Sequence, residues 1–289
     1  MFERLTRSWQ LVKASAAVLK QDRKLLLFPL VSSMAMLAVL ASFAIPVMGW
    51  VVFGSRSGQT SAASSSTFYA IGFLFYLTQY FVIFFFNAAL VGAAMIRLDG
   101  GTPTLADGLR LAASKWTSIL GYAAIAATVG VLLRAVAERV GFLGRIIVGL
   151  LGAGWTVATY LVVPVLVARD VGPVEAVKES TLILKRTWGE NLVGQAGLGV
   201  AFSLIQVFVV TLGVALIVTA AAGGSAILIV LSLVLTIGAV LLSFLVQGAL
   251  SGIYAAALYR FATQNGNSQG FDTDALRGAF VVKADFMGA

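Results

Sequence analysis

The sequence contains no cysteine and no histidine. Their absence excludes disulfides, thiolate nucleophiles, imidazole bases and every metal site built on Cys or His side chains. Charged residues are scarce as well: Asp, Glu, Lys and Arg make up 11% of the 289 residues, against roughly a quarter in an average soluble domain. The acidic residues lie in predicted loops or surface helices, so we predict no catalytic, cofactor-binding or metal-ligating residue and no enzymatic activity.

Apolar residues fill the sequence instead, at 60% of the chain. No charged residue lies between Arg56 and Arg97 or between Glu190 and Arg260. Both stretches exceed the ~20 apolar residues that cross a bilayer, and the second is long enough for two helices. The sequence therefore predicts an integral membrane protein.

The fold class that we predict is an all-α polytopic membrane bundle. Six transmembrane helices form three hairpins, each preceded by a cytoplasmic amphipathic helix. Residues 1–24 are predicted to be the first interfacial helix, and residues 260–289 a cytoplasmic tail. Within the six-span domain, 25–259, the spans are expected at about 25–53, 68–96, 117–133, 146–168, 192–222 and 225–259.

Three amphipathic stretches precede the hairpins, and each has a tryptophan in it or at its end: Trp9, Trp116 and Trp188. Tryptophan favours the headgroup level of a membrane, so we predict these three as interfacial anchors. The third stretch begins at Pro173, and its apolar stripe is predicted to comprise Val174, Val177, Thr181, Leu184 and Trp188. Three of its basic residues are candidate contacts for an anionic lipid or a partner: Lys178, Lys185 and Arg186.

The distribution of basic residues predicts the orientation. Sixteen Lys and Arg residues fall in the segments that are cytoplasmic if the N-terminus is inside, and four fall outside. This bias places both termini in the cytoplasm of a multi-pass protein of the cell membrane. The basic residues are scattered through the loops with no aromatic-interleaved motif, so nucleic acid is not an expected partner.

Three stretches resemble a bacterial and archaeal group of polytopic membrane proteins known only as a domain of unknown function. They are SWQLVKASAAVLKQDRKLLLFPL, DGLRLAASKWTSILGYA and GAGWTVATYLVVPVLVARDVGPVEAVKESTLILKRTWGENLVG. The resemblance covers roughly Ser8 to Ala201, and its most specific part is the WGE at residues 188–190 after PVLVARDVGP. It supports the membrane architecture and implies no activity.

Uncharged polar residues inside the spans are candidates for a cavity wall or for interhelical hydrogen bonds: Gln79, Asn87, Tyr160, Gln206 and Gln247. The interhelical bond is the favoured interpretation of the amides. Small residues four apart predict close helix packing at Ala88 and Gly92, at Gly149 and Ala153, and at Gly248 and Gly252.

Two classes of function fit these features. The first is a non-enzymatic membrane protein that organises lipids or partners through its cytoplasmic helices, the partner being another protein or a second copy of the chain. The alternative is a passive transporter or channel for a small or apolar solute. Coupled transport normally needs an ionisable residue within the membrane, and no predicted span has one well inside it.

Topology gives the first testable prediction. Reporter fusions at residues 60, 140 and 224 should report the outside of the cell, and fusions at 100, 180 and 289 the cytoplasm. Paired alkaline phosphatase and fluorescent-protein fusions measure this directly. A periplasmic signal at residue 180 would contradict the six-span arrangement.

Overall fold

The computed structural model describes residues 15–54, 63–186 and 188–264, and these residues are almost entirely helical. Six of the described helices are long and apolar enough to cross a membrane, so the prediction of an all-α, six-span membrane protein is confirmed. No strand occurs in the described ranges. The pairing of the spans into three hairpins and the interfacial position of the amphipathic helices stay predictions.

The helices are numbered here in chain order. They are α1 Leu27–Gly54, α2 Ala63–Leu98, α3 Leu105–Ser114, α4 Trp116–Arg139, α5 Phe142–Ala158, α6 Val162–Ala168, α7 Pro173–Arg186, α8 Trp188–Ala222 and α9 Ala226–Gln264. Residues 15–21 are also helical and lead through a 3-10 turn at Arg23–Leu26 into α1. The rest of the predicted helix at 1–24, with Trp9, lies outside the described residues, as does the tail beyond residue 264.

The third and fourth spans differ most from their predicted bounds. The third, α4, continues past residue 133 to Arg139, because polar partners support its last turns: Arg134 pairs with Glu138 at 3.1 Å and donates to the Tyr76 hydroxyl at 3.1 Å. The predicted loop between the third and fourth spans is therefore largely helical. The fourth span was predicted as one helix over 146–168, but it consists of two, α5 and α6.

The chain folds as two compact units. The central unit contains Leu27–Ala93 and Thr102–Leu184, and therefore α1, most of α2, α3 to α6, and α7 as far as Leu184. The terminal unit contains Met1–Leu26, Ala94–Gly101 and Lys185–Ala289, as far as these are described, and therefore α8 and α9.

In the central unit, α3 begins at a capping box. Thr104 precedes the helix and accepts a hydrogen bond from the Asp107 N–H at 3.2 Å, while the Asp107 carboxylate accepts from the Thr104 N–H at 3.0 Å. Two of the unpaired N–H groups at the helix start are thereby satisfied. The Thr104 side-chain hydrogen bond is also the main reason that the pKa of Asp107 lies below its usual value.

The amphipathic α3 packs on α2 through small residues. A Cβ placed on Gly108 would lie 2.5 Å from the Ala89 carbonyl oxygen and 2.6 Å from Cζ of Phe28, so only glycine fits between them. One turn further along α2, Gly92 receives the Leu111 side chain. The predicted packing role of Gly92 is thus confirmed, whereas Gly149, with the same predicted role, has nothing within 4 Å of its Cβ position.

The second amphipathic helix of this unit, α7, also turns a face of small side chains inward. Ala176 and Ser180 are fully buried and Leu184 is buried, each one turn from the next. Val174, which belongs to the predicted apolar stripe, is 56% exposed and faces away from the central unit, so its burial in the membrane interface stays a prediction. The side of α7 that packs inward is rotated relative to the predicted stripe, because small residues permit close approach. At the start of the helix, Pro173 packs directly over Gly121 of α4.

In the terminal unit, α8 and α9 join at a turn in which Gly224 has φ of 69°, a conformation that favours glycine. The two helices meet closely at Gly213 and Thr236. At the far end of α9, Arg260 forms an ion pair with Asp99 and donates to the Met95 carbonyl at 3.0 Å, and so holds this end of α9 to the end of α2.

The contact at Gly108 gives a prediction of stability. Gly108→Ala should gain up to ~1 kcal/mol from helix propensity but lose about 1 to 3 kcal/mol from overpacking against the Ala89 carbonyl and the Phe28 ring. We therefore expect a net loss of stability, measured as a lower midpoint of thermal unfolding in detergent. The exposed Ala106, two residues earlier on α3, offers the control Ala106→Ser, which should leave the midpoint nearly unchanged. A Gly108→Ala protein as stable as the parent would contradict this packing.

Candidate functional site

The fourth span is interrupted between α5 and α6, at residues 159–161. Pro164 follows as the third residue of α6, where it has no N–H to donate to the Tyr160 carbonyl and its ring crowds that carbonyl. The backbone tightens here, since Tyr160 N–H donates to Val157 O and Val162 N–H donates to Thr159 O, each three residues back at 3.1 Å. The regular ladder of i to i−4 bonds is broken as a result.

Ser180 of α7 supplies the hydrogen bonds that the interruption removes. Its hydroxyl accepts from the Leu161 N–H at 3.1 Å and donates to the Ala158 carbonyl at 2.7 Å. These two backbone groups belong to the interrupted ladder, and Ser180 itself is fully buried. One side chain of the amphipathic helix thus bridges both sides of the break.

The broken segment lies inside protein. From Leu161 to Leu166 every residue is buried, whereas α5 has no buried residue along its length. Irregular backbone at membrane depth is tolerated where it is enclosed by protein or lines a cavity, because lipid offers no hydrogen-bond partners. The position of the break agrees with this requirement.

Two ion pairs involve the segment between α6 and α7, at residues 169 and 170. Lys115, between α3 and α4, contacts Asp170 at 2.8 Å, and Arg169 pairs with Glu179. The hydrogen bond from Lys115, together with its charge, holds the pKa of the exposed Asp170 carboxyl below its usual value. The Lys115 contact also shows that the C-terminal end of α3 and the start of the segment leading into α7 lie side by side.

A partly open cleft of about 410 Å³ lies between α2, α4 and α5, next to the break. Its volume falls within the range of ~300 to 1,000 Å³ found for small-molecule sites. Four aromatic rings and two hydroxyl side chains line it together with small aliphatic residues: Tyr80, Phe84, Tyr122, Trp155, Thr156 and Thr159. No Lys, Arg, Asp or Glu is among its lining residues in the described chain.

The aromatic side of the cleft is a continuous column. The Tyr80 and Phe84 rings stack at 5.7 Å, and the Phe84 and Tyr122 rings lie 4.4 Å apart. Thr159 belongs both to the cleft and to the break, and its hydroxyl donates to the Trp155 carbonyl at 2.8 Å. The shape of the cleft wall therefore depends on how the fourth span is interrupted.

The polar candidates chosen from the sequence lie elsewhere. The Gln79 amide donates to the Met36 carbonyl of α1 at 3.4 Å, an interhelical bond of the kind favoured for it. The other four, Asn87, Tyr160, Gln206 and Gln247, are half-buried. None of the five lines the cleft. The actual lining residues were missed because Tyr, Trp and Thr in an apolar run resemble ordinary packing residues, and the one available signal was Pro164 inside a predicted span.

Two of the predicted anchors occupy the same position in their helices. Trp116 is the first residue of α4 and Trp188 the first residue of α8, so each begins a span rather than ending an amphipathic helix. Trp116 is 53% exposed. The side chains of Trp188 and Arg186 lie outside the described part of the structure, whereas Lys178 and Lys185 are exposed on α7.

The six apolar helices and the enclosed break define a class: this is a multi-pass α-helical membrane protein. The chain belongs to a family of unknown function (DUF6159), whose model matches residues 66–271. The resemblance to a family without known activity is thereby confirmed, although the match begins after the first predicted span and extends through the last two. No curated protein matches the sequence.

The bridge at Ser180 can be tested by a single substitution. Ser180→Ala leaves Leu161 N–H and Ala158 O without their partner in a buried site and should lower the free energy of unfolding by about 1 to 3 kcal/mol. The neighbouring Thr181 donates to Val177 within its own helix, so Thr181→Ala should change the free energy by less than ~0.5 kcal/mol. Denaturation in mixed micelles measures both. Equal effects of the two substitutions would show that Ser180 does not support the break.

Proposed function

We propose that this protein is non-enzymatic and organises anionic lipids, or a partner protein, at the cytoplasmic face of the membrane through α7 and α3. The observation that carries the proposal is the outward side of α7. At ~100° per residue, four exposed side chains fall within about 80° of one another on the helix, opposite the buried Ala176 and Ser180. They are Val174, Lys178, Leu182 and Lys185.

This strip alternates aliphatic and basic side chains. Val174 and Leu182 are each 56% exposed. At a membrane surface the two aliphatic side chains enter the acyl boundary, and the two lysines extend their ammonium groups to lipid phosphates. Such a strip suits a helix that lies in the interface with its outward side against lipid headgroups.

The inward side of α7 gives the strip a fixed position. Ser180 and Leu184 are buried against the central unit, and Pro173 is seated over Gly121. Because the helix is held at several points, the lysines would be presented at a constant depth rather than on a mobile arm. This supports an organising role for the helix over a purely connecting one.

A second candidate function, a passive transporter or channel for a small or apolar solute, is favoured by one observation. The cleft lies beside an interrupted span, and interrupted helices commonly flank the binding sites of transporters. Its uncharged wall suits an apolar solute more than an ion. Solute flux into proteoliposomes, compared with protein-free liposomes, tests this alternative.

The lipid role of α7 predicts a change in bound lipid. Lys178→Gln with Lys185→Gln should reduce the phosphatidylglycerol that remains bound on detergent extraction by about threefold or more, because each basic residue contributes about 1 kcal/mol near an anionic surface. Native mass spectrometry counts the retained lipids.

A control variant removes two positive charges at a distance from α7. Arg139 and Arg145 are exposed near the opposite ends of the third and fourth spans, and Arg139→Gln with Arg145→Gln should leave retention at the level of the parent protein. If both double variants retain the same amount of lipid, α7 has no special role. A protein partner that is recovered from native membranes by the parent chain and lost with the Lys178 and Lys185 changes would support the partner form of the proposal.

A further inference from the structure

The cleft between α2, α4 and α5 has features of a specific binding site. Two of its lining residues, Tyr80 and Trp155, each carry a donor for which the described residues supply no hydrogen-bond partner. The Thr156 hydroxyl donates to the Gly152 carbonyl and keeps acceptor capacity on its oxygen, whereas the Thr159 hydroxyl donates to the Trp155 carbonyl and is also hydrogen-bonded to the Tyr122 hydroxyl. The wall can therefore both donate hydrogen bonds to a ligand and accept one from it.

Glycine keeps the cleft open. A Cβ on Gly130 would lie 3.3 Å from the Tyr80 hydroxyl oxygen, and a Cβ on Gly152 would lie 3.8 Å from Cδ1 of Leu133. Larger side chains at these two positions would extend into the space between the three helices. The volume is thus a consequence of particular residues in the wall.

The absence of charged residues from the described lining of the cleft indicates which class of ligand it can bind. A phosphate or ammonium group inside the cleft would have no opposite charge among the lining residues and would lose its hydration, which is strongly unfavourable at membrane depth. A hydroxyl or carbonyl group has no such penalty, and the unpartnered donors can satisfy it. The aromatic column of Tyr80, Phe84 and Tyr122 suits the apolar remainder of such a molecule.

We propose that this cleft binds an uncharged membrane lipid whose polar end, a hydroxyl or carbonyl group, hydrogen-bonds to Tyr80, Trp155 and Thr156. A diacylglycerol and a long-chain quinone share this chemistry. The site is separate from the basic strip of α7 and goes beyond the proposed function, since the cleft selects against the anionic lipids that the strip attracts.

Photolabelling of the full chain in nanodiscs tests the proposal. The two probes are a diacylglycerol and a phosphatidylglycerol that carry the same photoreactive acyl chain, and mass spectrometry locates the adducts. The diacylglycerol should label the cleft walls on α2, α4 and α5 at least tenfold more than the phosphatidylglycerol does. Equal labelling of these walls by the two probes would overturn the proposal.

A matched pair of glycines provides the variants. Gly152→Phe places a ring in the cleft and should reduce diacylglycerol labelling at least tenfold, whereas Gly154→Phe on the same helix points into open space and should label like the parent. If the Gly152→Phe variant elutes as a folded protein and the diacylglycerol probe labels its cleft as strongly as that of the parent, the proposed site is refuted.

Competition in the parent protein keeps the test independent of the variants. Excess unlabelled diacylglycerol or unlabelled quinone should suppress labelling of the cleft, and the stronger competitor identifies the source of the lipid. Failure of both to compete would overturn the proposal. The lysine variants of α7 should label normally, so the loss of the proposed function and the loss of this site are separate results.

Discussion

This structure depends on one constraint: lipid offers no hydrogen-bond partner, so every backbone N–H and C=O group within the membrane needs a partner in the protein. The fourth span loses regular helical hydrogen bonds at residues 159–161. One hydroxyl, that of Ser180, supplies two replacements. The two hydrogen bonds of Ser180 hold the inward side of α7 against the fourth span. The rest of α7 is consistent with this attachment: Ala176 and Ser180 are buried on its inward side, and Val174 and Leu182 are exposed on the opposite side.

Close approach by small residues is the second organising feature of the central unit. Gly108 admits the Phe28 ring and the Ala89 carbonyl, and Gly121 admits Pro173. In a membrane no hydrophobic force drives helices together, so contact area and hydrogen bonds must supply the attraction. Both amphipathic helices, α3 and α7, use this means of attachment to the spans of the central unit.

The sequence was sufficient to predict the six spans, because each depends only on a local apolar run of adequate length. It was insufficient for the break, because Ser180 lies 22 residues from Ala158 and a serine in a helix gives no sign of which backbone it will contact. Spacing alone also could not separate Gly92, which packs against Leu111, from Gly149, which faces open space. The cleft was missed for a related reason: amides were chosen for their hydrogen-bonding capacity, whereas the wall uses tyrosine, tryptophan and threonine.

The order in which the ribosome makes these residues gives the Ser180 bridge a consequence for biogenesis. Ala158 and Leu161 leave the ribosome before Ser180, so the fourth span enters the membrane before its partner hydroxyl has been made. Pro164 is already present at that stage and interrupts the helix by itself, so Ala158 O and Leu161 N–H lack the Ser180 hydroxyl while the span inserts. The docking of α7 therefore completes the hydrogen bonding of a span whose residues were made before it.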